Sequence, residues 1–328
     1  MNESKYIKLH KGRNFVPMEE IYHSEKNKNG KIFIFDLDET LGSFSDLYIL
    51  WKTLEKYIYI DNKLLFFHKL FDLYPEFLRH GILNILEFLY YKKQSGECSK
   101  IYIYTNNQCN NNWVEYIIYC IESKIVHTPL FFTKRSSSTC LLQYYINKNE
   151  IESPQTDSSN IQKHKLFDDI IQAFKIGDKK IELKRTTHEK TYLDFIKFTL
   201  LPKNMEFCFI DNNFFPKMCN ENVYYIQPRS YFHYLKTDEI IDRFISSSLF
   251  QQLKYDGLCF ETLLYEAFLQ KKPFINIVLL EKRLETDLLI SQKLMYYIRE
   301  FFYLYARKIK TKKARQKIGR FTRKKGKS

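Results

Sequence analysis

Short apolar segments alternate along this chain with longer helical patterns, and this alternation constrains the fold more than any other feature. Strand-like segments cover residues 31–38, 100–107, 205–213 and 222–228. Helical periodicity covers residues 80–93, 111–124 and 190–201. Because the strand-like segments are apolar on both faces, they indicate a parallel sheet with helices on both sides. We therefore predict an α/β protein with a central parallel sheet.

Polar residues follow the first three of these strands. The segments at their carboxyl ends read DLDET (36–40), TNN (105–107) and DNN (211–213). In open parallel sheets, ligands bind beyond the carboxyl ends of the strands. We expect the three segments to meet at one edge of the sheet and to form the functional site there.

Asp36 and Asp38 are separated by a single residue. In a strand, alternate side chains point to the same face, so these two carboxylates would repel each other. A bound cation or a shared proton relieves such repulsion. Hard oxygen ligands without a His or Cys cluster favour Mg²⁺, and Asp211 and Asn212 can complete such a site.

These segments resemble the motifs of a known superfamily. The sequence DLDETL resembles the first motif, DxDxT, of the haloacid-dehalogenase (HAD) superfamily, and its Glu-Thr-Leu ending resembles the branch of C-terminal-domain phosphatases, the FCP/SCP or NLI-interacting-factor-like group. Thr105 at the end of IYIYT is similar to the second motif, and Asp211 and Asn212 of FCFIDN to the fourth. Lys190 of THEKTYLDFIKF fits the third motif. Taken together, the motif-like segments are most similar in sequence to those of HAD-like phosphatases of large DNA viruses. These segments are DLDETLG, YTNNQ, RTTHEK and FIDN.

The resemblance implies a Rossmann-like HAD fold and a Mg²⁺-dependent phosphoric monoester hydrolase. Asp36 would be the nucleophile that forms an aspartyl-phosphate, and Asp38 the general acid and base. As an acid, Asp38 must first be neutral, which requires a raised pKa. Lys190 would neutralise the charge of the transition state.

The resemblance also implies ligands for the metal and for the phosphate. Mg²⁺ would be held by Asp36, by the main-chain carbonyl of Asp38, and by Asp211 or Asn212. Thr105 would hold a phosphoryl oxygen. The other predicted phosphate-binding residues are Thr40 and Asn106.

Several assignments keep alternatives at this stage. Lys184 and Lys134 are rivals of Lys190 for the third motif. We predict that Arg79 is a surface cation rather than a substrate contact, and that His188 has no catalytic role. In the FCP/SCP branch an apolar residue usually stands where this chain has Gly42, and Ala-Ser usually follows the position of Thr105.

Periodicity and composition divide the chain into predicted segments. These are an N-terminal segment (1–30), the HAD-like domain (31–245), a helical extension (250–306) and a basic disordered tail (307–328). Within the domain we predict a helical insertion at 46–78, which could form a small lid, and a mobile loop at 135–163 that is rich in Ser, Thr, Asn and Gln.

The net charge of +14 is concentrated in the tail. Residues 307–328 hold twelve Lys or Arg and no acid, so the rest of the chain carries a net charge of only +2. Such a tail is typical of contact with nucleic acid, of nuclear import or of an anionic partner, with a purely solubilising role as the alternative.

Composition also bears on the compartment. The seven cysteines are widely spaced without a CxxC pair, which disfavours a zinc site and a disulfide framework. No apolar run approaches the ~18 residues that span a bilayer, and the first residues do not resemble a signal peptide. We expect an intracellular protein, cytoplasmic or nuclear, that is neither secreted nor bound to a membrane.

A phosphorylated protein, carrying phospho-Ser or phospho-Thr, is the favoured substrate. One alternative is a nucleic-acid end phosphatase on the same fold. Glu39 argues against it, because that branch resembles Asp-x-Asp-Gly-Thr. A second alternative is a non-catalytic protein that binds nucleic acid or protein through its C-terminal helices and tail.

Overall fold

A computed structural model gives the structure of the chain. It describes residues 6–12, 15–17, 30–109, 112–126, 165–172, 185–202, 205–253, 259–270 and 280–306. The predicted loop at 135–163, the basic tail at 307–328 and the rival lysines Lys134 and Lys184 lie outside the described residues.

Eight strands are described, in two sheets. They are β1 (Ile7–Lys11), β2 (Phe15–Pro17), β3 (Lys31–Phe35), β4 (Cys98–Tyr104), β5 (Asp169–Ile171), β6 (Glu206–Ile210), β7 (Val223–Pro228) and β8 (Leu304–Ala306). Six of them form a central sheet in the order β1-β7-β6-β3-β4-β5, and β2 pairs with β8 in a separate ribbon. All pairings in the central sheet are parallel except that of β1 with β7. The predicted α/β class is therefore confirmed, and the central sheet, predicted to be parallel, is mostly parallel because β1 joins its edge in the antiparallel direction.

Helices among the described residues pack on the sheet. They are α1 (Ser45–Tyr57), α2 (Lys63–Asp72), α3 (Ile82–Gln94), α4 (Trp113–Val126), α5 (Tyr192–Thr199), α6 (Thr237–Ile245), α7 (Ser248–Gln251), α8 (Phe260–Leu269) and α9 (Leu280–Phe302). Side chains at the N-caps fix some of their starts: Asn62 accepts a hydrogen bond from the amide of Leu65, and Thr191 accepts one from that of Asp194.

The central strand β3 divides the interior into two apolar cores. Phe33 and Phe35 point into the larger core, and Ile32 and Ile34 point into the smaller one. All five residues of β3 are buried, as expected for a strand covered on both faces. Helix α5 contributes to the smaller core, whereas α1 to α4 and α6 to α9 contribute to the larger one.

The predicted helical insertion forms α1 and α2, and it is part of the larger core. Trp51, Leu54, Phe67 and Phe71 are each at most 1% exposed. The aromatic rings of this set pack on one another and on α4, for example Phe67 on Trp51 and on Trp113, with ring centroids 5.1 Å and 5.4 Å apart. These two helices therefore pack as an integral layer of the fold.

The chain on either side of residues 31–245 also packs against the sheet. Strand β1 adds an antiparallel edge to β7, and α8 and α9 place Leu264 and Leu294, among others, in the larger core. The buried ammonium of Lys31 contacts both the carboxylate of Glu206 and the carbonyl of Leu304, which ties the end of α9 to the sheet. No helix among the described residues is long and apolar enough to cross a membrane.

Candidate active site

The carboxyl ends of β3, β6 and β4 lie side by side, because these strands are neighbours in parallel register. Phe35 is level with Ile210 on one side and with Ile103 on the other. The amide of Asp36 still bonds to the carbonyl of Ile210 at 2.9 Å, just beyond the last residue of β3. The structure thus brings the three predicted polar segments to one edge of the sheet.

Lys190 is the residue that joins two of these segments. Its Nζ lies 2.5 Å from Oδ1 of Asp36 and 2.6 Å from Oδ2 of Asp211. All three side chains are buried, with Lys190 only 1% exposed. Burial alone would lower the pKa of Lys190, but the two adjacent carboxylates outweigh it and raise the pKa above its ordinary value. The site therefore contains a charged lysine clamped between two acids.

The local sequence explains why Lys190 reaches this position. It stands directly before Thr191, the N-cap of α5, and its backbone is anchored because the amide of Thr191 donates to the hydroxyl of Tyr104 at 3.2 Å. Asp194 fixes the approach from the other side, since its carboxylate accepts bonds from the amide and hydroxyl of Thr186.

Asp211 completes the buried cluster at the end of β6. It is fully buried, and its Oδ1 accepts a hydrogen bond of 2.8 Å from the amide of Asn213. Burial and the like charge of Asp36 raise the pKa of Asp211, while Lys190 opposes the rise. A cation beside this carboxyl favours its charged form and so stabilises the cluster.

Asp38 is less buried than Asp36 and lies at the rim of the site. Its Oδ2 accepts a hydrogen bond of 2.7 Å from Nδ2 of Asn107. Burial raises the pKa of Asp38 to about 6, with a further contribution from the charge of Asp36 and an opposing one from Asn107. A carboxyl group with this pKa can donate or accept a proton near neutral pH.

Thr40, which was predicted to bind phosphate, lies between Asp36 and Asn212. Its hydroxyl is fully buried, 3.2 Å from Oδ2 of Asp36 and 3.0 Å from Oδ1 of Asn212, and it accepts the amide proton of Asn212 at 3.1 Å. A hydroxyl enclosed in this way positions the two side chains beside it. Thr40 therefore helps to orient Asp36 and Asn212 within the candidate site.

Asn212 is held by several partners. Besides its contacts with Thr40, its Nδ2 donates to Oε2 of Glu39 at 3.1 Å and to Oγ of Ser230 at 3.0 Å. Its amide oxygen therefore has a defined orientation beside Asp36. Sequence reasoning assigned no role to Ser230, which is 18 residues further along the chain.

Thr105 and Asn106 follow β4 and form the wall of the candidate site on the β4 side. Thr105 is 1% exposed, and its Oγ1 accepts the amide of Asn107 at 3.1 Å, which leaves the hydroxyl proton for donation to another acceptor. The side-chain oxygen of Asn106 accepts a bond of 2.8 Å from Nη2 of Arg185. The two residues thus lie at the expected edge, with Asn106 already engaged by an arginine.

Arg185 is a residue of the site that sequence reasoning missed. Besides Asn106, its guanidinium donates to the carbonyls of Gln172 at 2.8 Å, His188 at 2.9 Å and Thr105 at 3.3 Å. It is 3% exposed. In the sequence it is one cation in a polar segment, and nothing there distinguishes it from a solvated residue.

Arg79 was predicted to be a surface cation, and that prediction is wrong. The side chain is 1% exposed. Its Nε donates to the carbonyl of Thr40 at 2.6 Å, and its Nη2 donates to those of Glu39 at 2.6 Å and Arg229 at 2.9 Å. Main-chain carbonyls, which the sequence pattern does not show, compensate for the burial of this charge.

His188, for which we predicted no catalytic role, is exposed. Its Nδ1 lies 3.4 Å from Nε2 of Gln108, which is also exposed. This contact joins the loop after β4 to the segment that leads to Lys190. It lies outside the buried cluster.

The donor set can be compared with the needs of a metal ion. The described residues contain no group of three or more His, Cys, Asp and Glu side chains that could hold a metal. Asp36 and Asp211 nevertheless each have a second carboxylate oxygen besides the one bound by Lys190, and the amide oxygen of Asn212 lies nearby. Mg²⁺ is usually bound by one or two carboxylates together with water and substrate phosphate. The chemistry of these donors fits Mg²⁺.

Comparison of the chain with protein-family models, with curated proteins and with solved structures finds no match. The resemblance to the HAD superfamily therefore depends on the motifs and on the arrangement of their residues.

Proposed function

We propose that this protein is a Mg²⁺-dependent phosphatase of the HAD type, which hydrolyses phosphate monoesters through an aspartyl-phosphate on Asp36. The observation that carries the proposal is the buried contact of Lys190 with both Asp36 and Asp211, beside a half-buried Asp38 whose pKa is raised to about 6. Structural ion pairs also occur in buried sites, but here the acids lie at the carboxyl edge of a parallel sheet, where ligands bind.

The proposed fold assignment is a Rossmann-like HAD domain. It is supported by the strand order, in which β3 lies between β6 and β4 and so carries Asp36 at the centre of the sheet. It is also supported by the order of the four motif-like segments along the chain, each of which ends at or next to this edge.

In the first step, an oxygen of Asp36 attacks phosphorus while the bond from phosphorus to the leaving oxygen breaks. Asp38, in its neutral form, gives its proton to that oxygen, so that an alcohol leaves. General acid catalysis of this kind contributes about 10²- to 10⁴-fold to the rate. The raised pKa of Asp38 supports this role because it increases the protonated fraction near neutral pH.

In the second step, water attacks the phosphorus of the aspartyl-phosphate. Asp38, now a carboxylate, takes the proton of that water, and the bond from phosphorus to Asp36 breaks to release phosphate. Lys190 keeps Asp36 oriented throughout and offsets negative charge, and the hydroxyl of Thr105 is available to a phosphoryl oxygen. When bound by Asp36, Asp211 or Asn212 and the Asp38 carbonyl, Mg²⁺ would supply positive charge against the phosphate.

For the substrate, we favour a phosphorylated protein, on the motif resemblance to the C-terminal-domain phosphatases. A phosphorylated nucleic-acid end is the competing substrate, and the twelve cations of residues 307–328 are the observation in its favour. A screen that compares phosphopeptides with phosphorylated oligonucleotides, at matched ionic strength, distinguishes the two.

The catalytic proposal is tested by hydrolysis of p-nitrophenyl phosphate. The wild-type protein should turn over this ester with Mg²⁺ and lose the activity in EDTA, and Asp36→Asn should be inactive. Asp169→Asn, which changes an exposed acid on β5, is the matched control and should retain activity. A wild-type rate no higher than that of Asp36→Asn would exclude the proposed reaction.

A further inference from the structure

The loop that follows the candidate nucleophile is held in place by Arg79. We call residues 38–42 the Asp38 loop. Two of the carbonyls to which Arg79 donates, those of Glu39 and Thr40, belong to this loop, and the hydrogen bonds are both 2.6 Å long. A third bond, to the carbonyl of Arg229 at 2.9 Å, fastens the same guanidinium to the chain after β7.

The Asp38 loop has a conformation that needs such support. Glu39 has a φ of +60°, in the left-handed region that residues other than glycine seldom adopt. Its carbonyl accepts hydrogen bonds from Arg79 and from the amide of Tyr231 at 2.9 Å, and its own amide donates to the carbonyl of Gly42 at 2.6 Å. An unfavourable backbone conformation persists only where its surroundings fix it.

The two residues after Arg79, His80 and Gly81, lie against helix α9. The hydroxyl of Ser291 donates to the carbonyl of His80, and its Cβ lies 3.2 Å from the point where a side chain on Gly81 would begin. Asp287 precedes Ser291 by four residues and so lies on the same face of α9, one turn away. Asp287 is also buried, at 7% exposure.

The charges agree with this placement. Burial lowers the pKa of Arg79 to about 10, and Asp287 is the main group that opposes the decrease, followed by Tyr231 and Glu39. Of these groups, Asp287 is a carboxyl group carried by α9. A buried cation without a nearby anion would gain free energy by moving towards water, and the bonds to the Asp38 loop would then be lost.

We propose that α9 is a positioning element of the candidate active site, in which the negative charge of Asp287 retains the buried Arg79, and Arg79 fixes the Asp38 loop. The inference rests on the proposed phosphatase function. It gives residues of the C-terminal extension a part in catalysis although they contact no reacting atom. Asp287 and Arg79 are thus positioning residues.

Such a role can be separated from a merely structural one by comparison with a second buried acid. Glu206 is 4% exposed and pairs with Lys31 at the amino end of β6, the opposite end of the sheet from the candidate site. Glu206→Gln should lower the melting temperature, as Asp287→Asn should, but it should leave the Asp38 loop unchanged.

The experiment measures steady-state kinetics and deuterium exchange on the full chain. For Asp287→Asn and Arg79→Lys, we expect kcat for p-nitrophenyl phosphate to fall by about 10- to 100-fold with KM changed less than about 3-fold, because the reacting groups are misplaced rather than removed. Amides of residues 36–42 should exchange faster in both variants. Glu206→Gln should retain wild-type kcat and exchange in this segment.

Wild-type kcat and exchange in Asp287→Asn would overturn the inference, and so would changes no larger than those of Glu206→Gln. If Arg79→Lys does not fold, Asp287→Asn and Ser291→Ala decide by the same measurements. Exchange is measured without substrate, so its result stands if the protein proves inactive. Inactivity alone would contradict the proposed function, whereas unchanged exchange would contradict the positioning role.

Discussion

Asn107 donates a hydrogen bond of 2.7 Å to Asp38 across the candidate site, and this bond joins the loop after β4 to the loop after β3. It acts on the protonation of Asp38, because a donor stabilises the carboxylate and so lowers the pKa. Burial acts in the opposite direction and is the larger effect, so the pKa of Asp38 rises to about 6. The balance places this group where a general acid is effective near neutral pH.

The first prediction concerns the pH dependence of catalysis. With an ester whose leaving group needs protonation, such as phenyl phosphate, kcat/KM should fall as the pH rises through the pKa of Asp38, because the acid form is lost. Asn107→Ala removes a hydrogen-bond donor to the carboxylate and so raises the pKa of Asp38. The falling limb of the pH profile of kcat/KM should therefore move to higher pH, by about one unit. The exposed neighbour Gln108 provides the control Gln108→Ala, which should leave the limb in place. A shift of the limb to lower pH in Asn107→Ala would contradict the role of this bond.

The second prediction concerns the stability cost of Asp38. Its folded-state pKa of about 6 lies above the ordinary value of 3.8, so the folded protein binds the proton more tightly than the unfolded chain. The contribution of Asp38 to the free energy of unfolding therefore becomes less favourable to the folded state as the pH rises from about 4 to about 6. Asp38→Asn should be more stable than wild type at pH 7.5. The shift in pKa sets an upper limit of about 3 kcal/mol for this difference, and partial exposure of the side chain reduces it.

Chemical denaturation at pH 7.5 and at pH 4 measures this effect. The stability difference between Asp38→Asn and wild type should be present at the higher pH and largely absent at the lower one, where Asp38 is neutral in the folded protein. The same variant should have reduced phosphatase activity. Equal stability of the two proteins at pH 7.5 would show that Asp38 is not destabilised as a carboxylate.

The main features of the site could be predicted because they depend on local patterns. Apolar runs that end in polar residues indicate both a parallel strand and its carboxyl edge, which is why Asp36 and Asp211 were placed together. Lys190 was assigned through its resemblance to the third HAD motif, a lysine at the start of the helix before the fourth-motif strand, and the sequence left Lys184 and Lys134 as rivals. Its simultaneous contact with both acids required the parallel register of β3 and β6.

The residues that were missed act over long separations in the sequence. Arg79 reaches Thr40 and Arg229, which are 39 and 150 residues away, and Arg185 reaches Thr105, which is 80 residues away. Their partners are main-chain carbonyls, which leave no trace in the amino-acid sequence. Arginine and lysine side chains are usually exposed, so sequence reasoning assigns them to the surface. For the same reason, strand β1 was not predicted, since its pairing with β7 joins residues that are more than 200 positions apart.

The third prediction concerns Lys190. Lys190→Met should leave the carboxylates of Asp36 and Asp211 buried without a cation, which costs about 3–5 kcal/mol when one partner of a buried ion pair is removed. Urea denaturation at pH 8 should show this loss, together with loss of phosphatase activity. Lys217 offers a matched control, because it pairs with Glu189 at 2.8 Å while remaining 60% exposed. Lys217→Met should change the stability by no more than about 1 kcal/mol.

The identity of the third-motif lysine is tested in the same assay. Lys190→Ala should lose more activity than Lys184→Ala, because Lys190 contacts both acids of the cluster. A larger loss in Lys184→Ala would move the assignment to that residue. The measurement of kcat under saturating Mg²⁺ and p-nitrophenyl phosphate is sufficient to decide.

The fourth prediction concerns Arg185. Its planar guanidinium bonds to three carbonyls and to the side chain of Asn106, a pattern that the ammonium of lysine cannot reproduce. Arg185→Lys should therefore displace the wall formed by Thr105 and lower kcat/KM by about 10- to 100-fold. The exposed Arg229 provides the control Arg229→Lys, which should retain wild-type kinetics. Wild-type kcat/KM in Arg185→Lys would contradict a role of Arg185 in positioning Thr105.

The last prediction concerns the basic segment 307–328. Twelve cations without an acid repel one another and attract a polyanion, so binding to DNA or RNA should weaken steeply as salt increases. Deletion from Arg307 should abolish this salt-sensitive binding, measured by retention on a nucleic-acid column. It should leave hydrolysis of p-nitrophenyl phosphate unchanged, because a small ester has no need of the segment. Unchanged retention after the deletion would rule out nucleic-acid binding by these residues. A parallel loss of small-ester hydrolysis would instead indicate that the segment supports the catalytic fold.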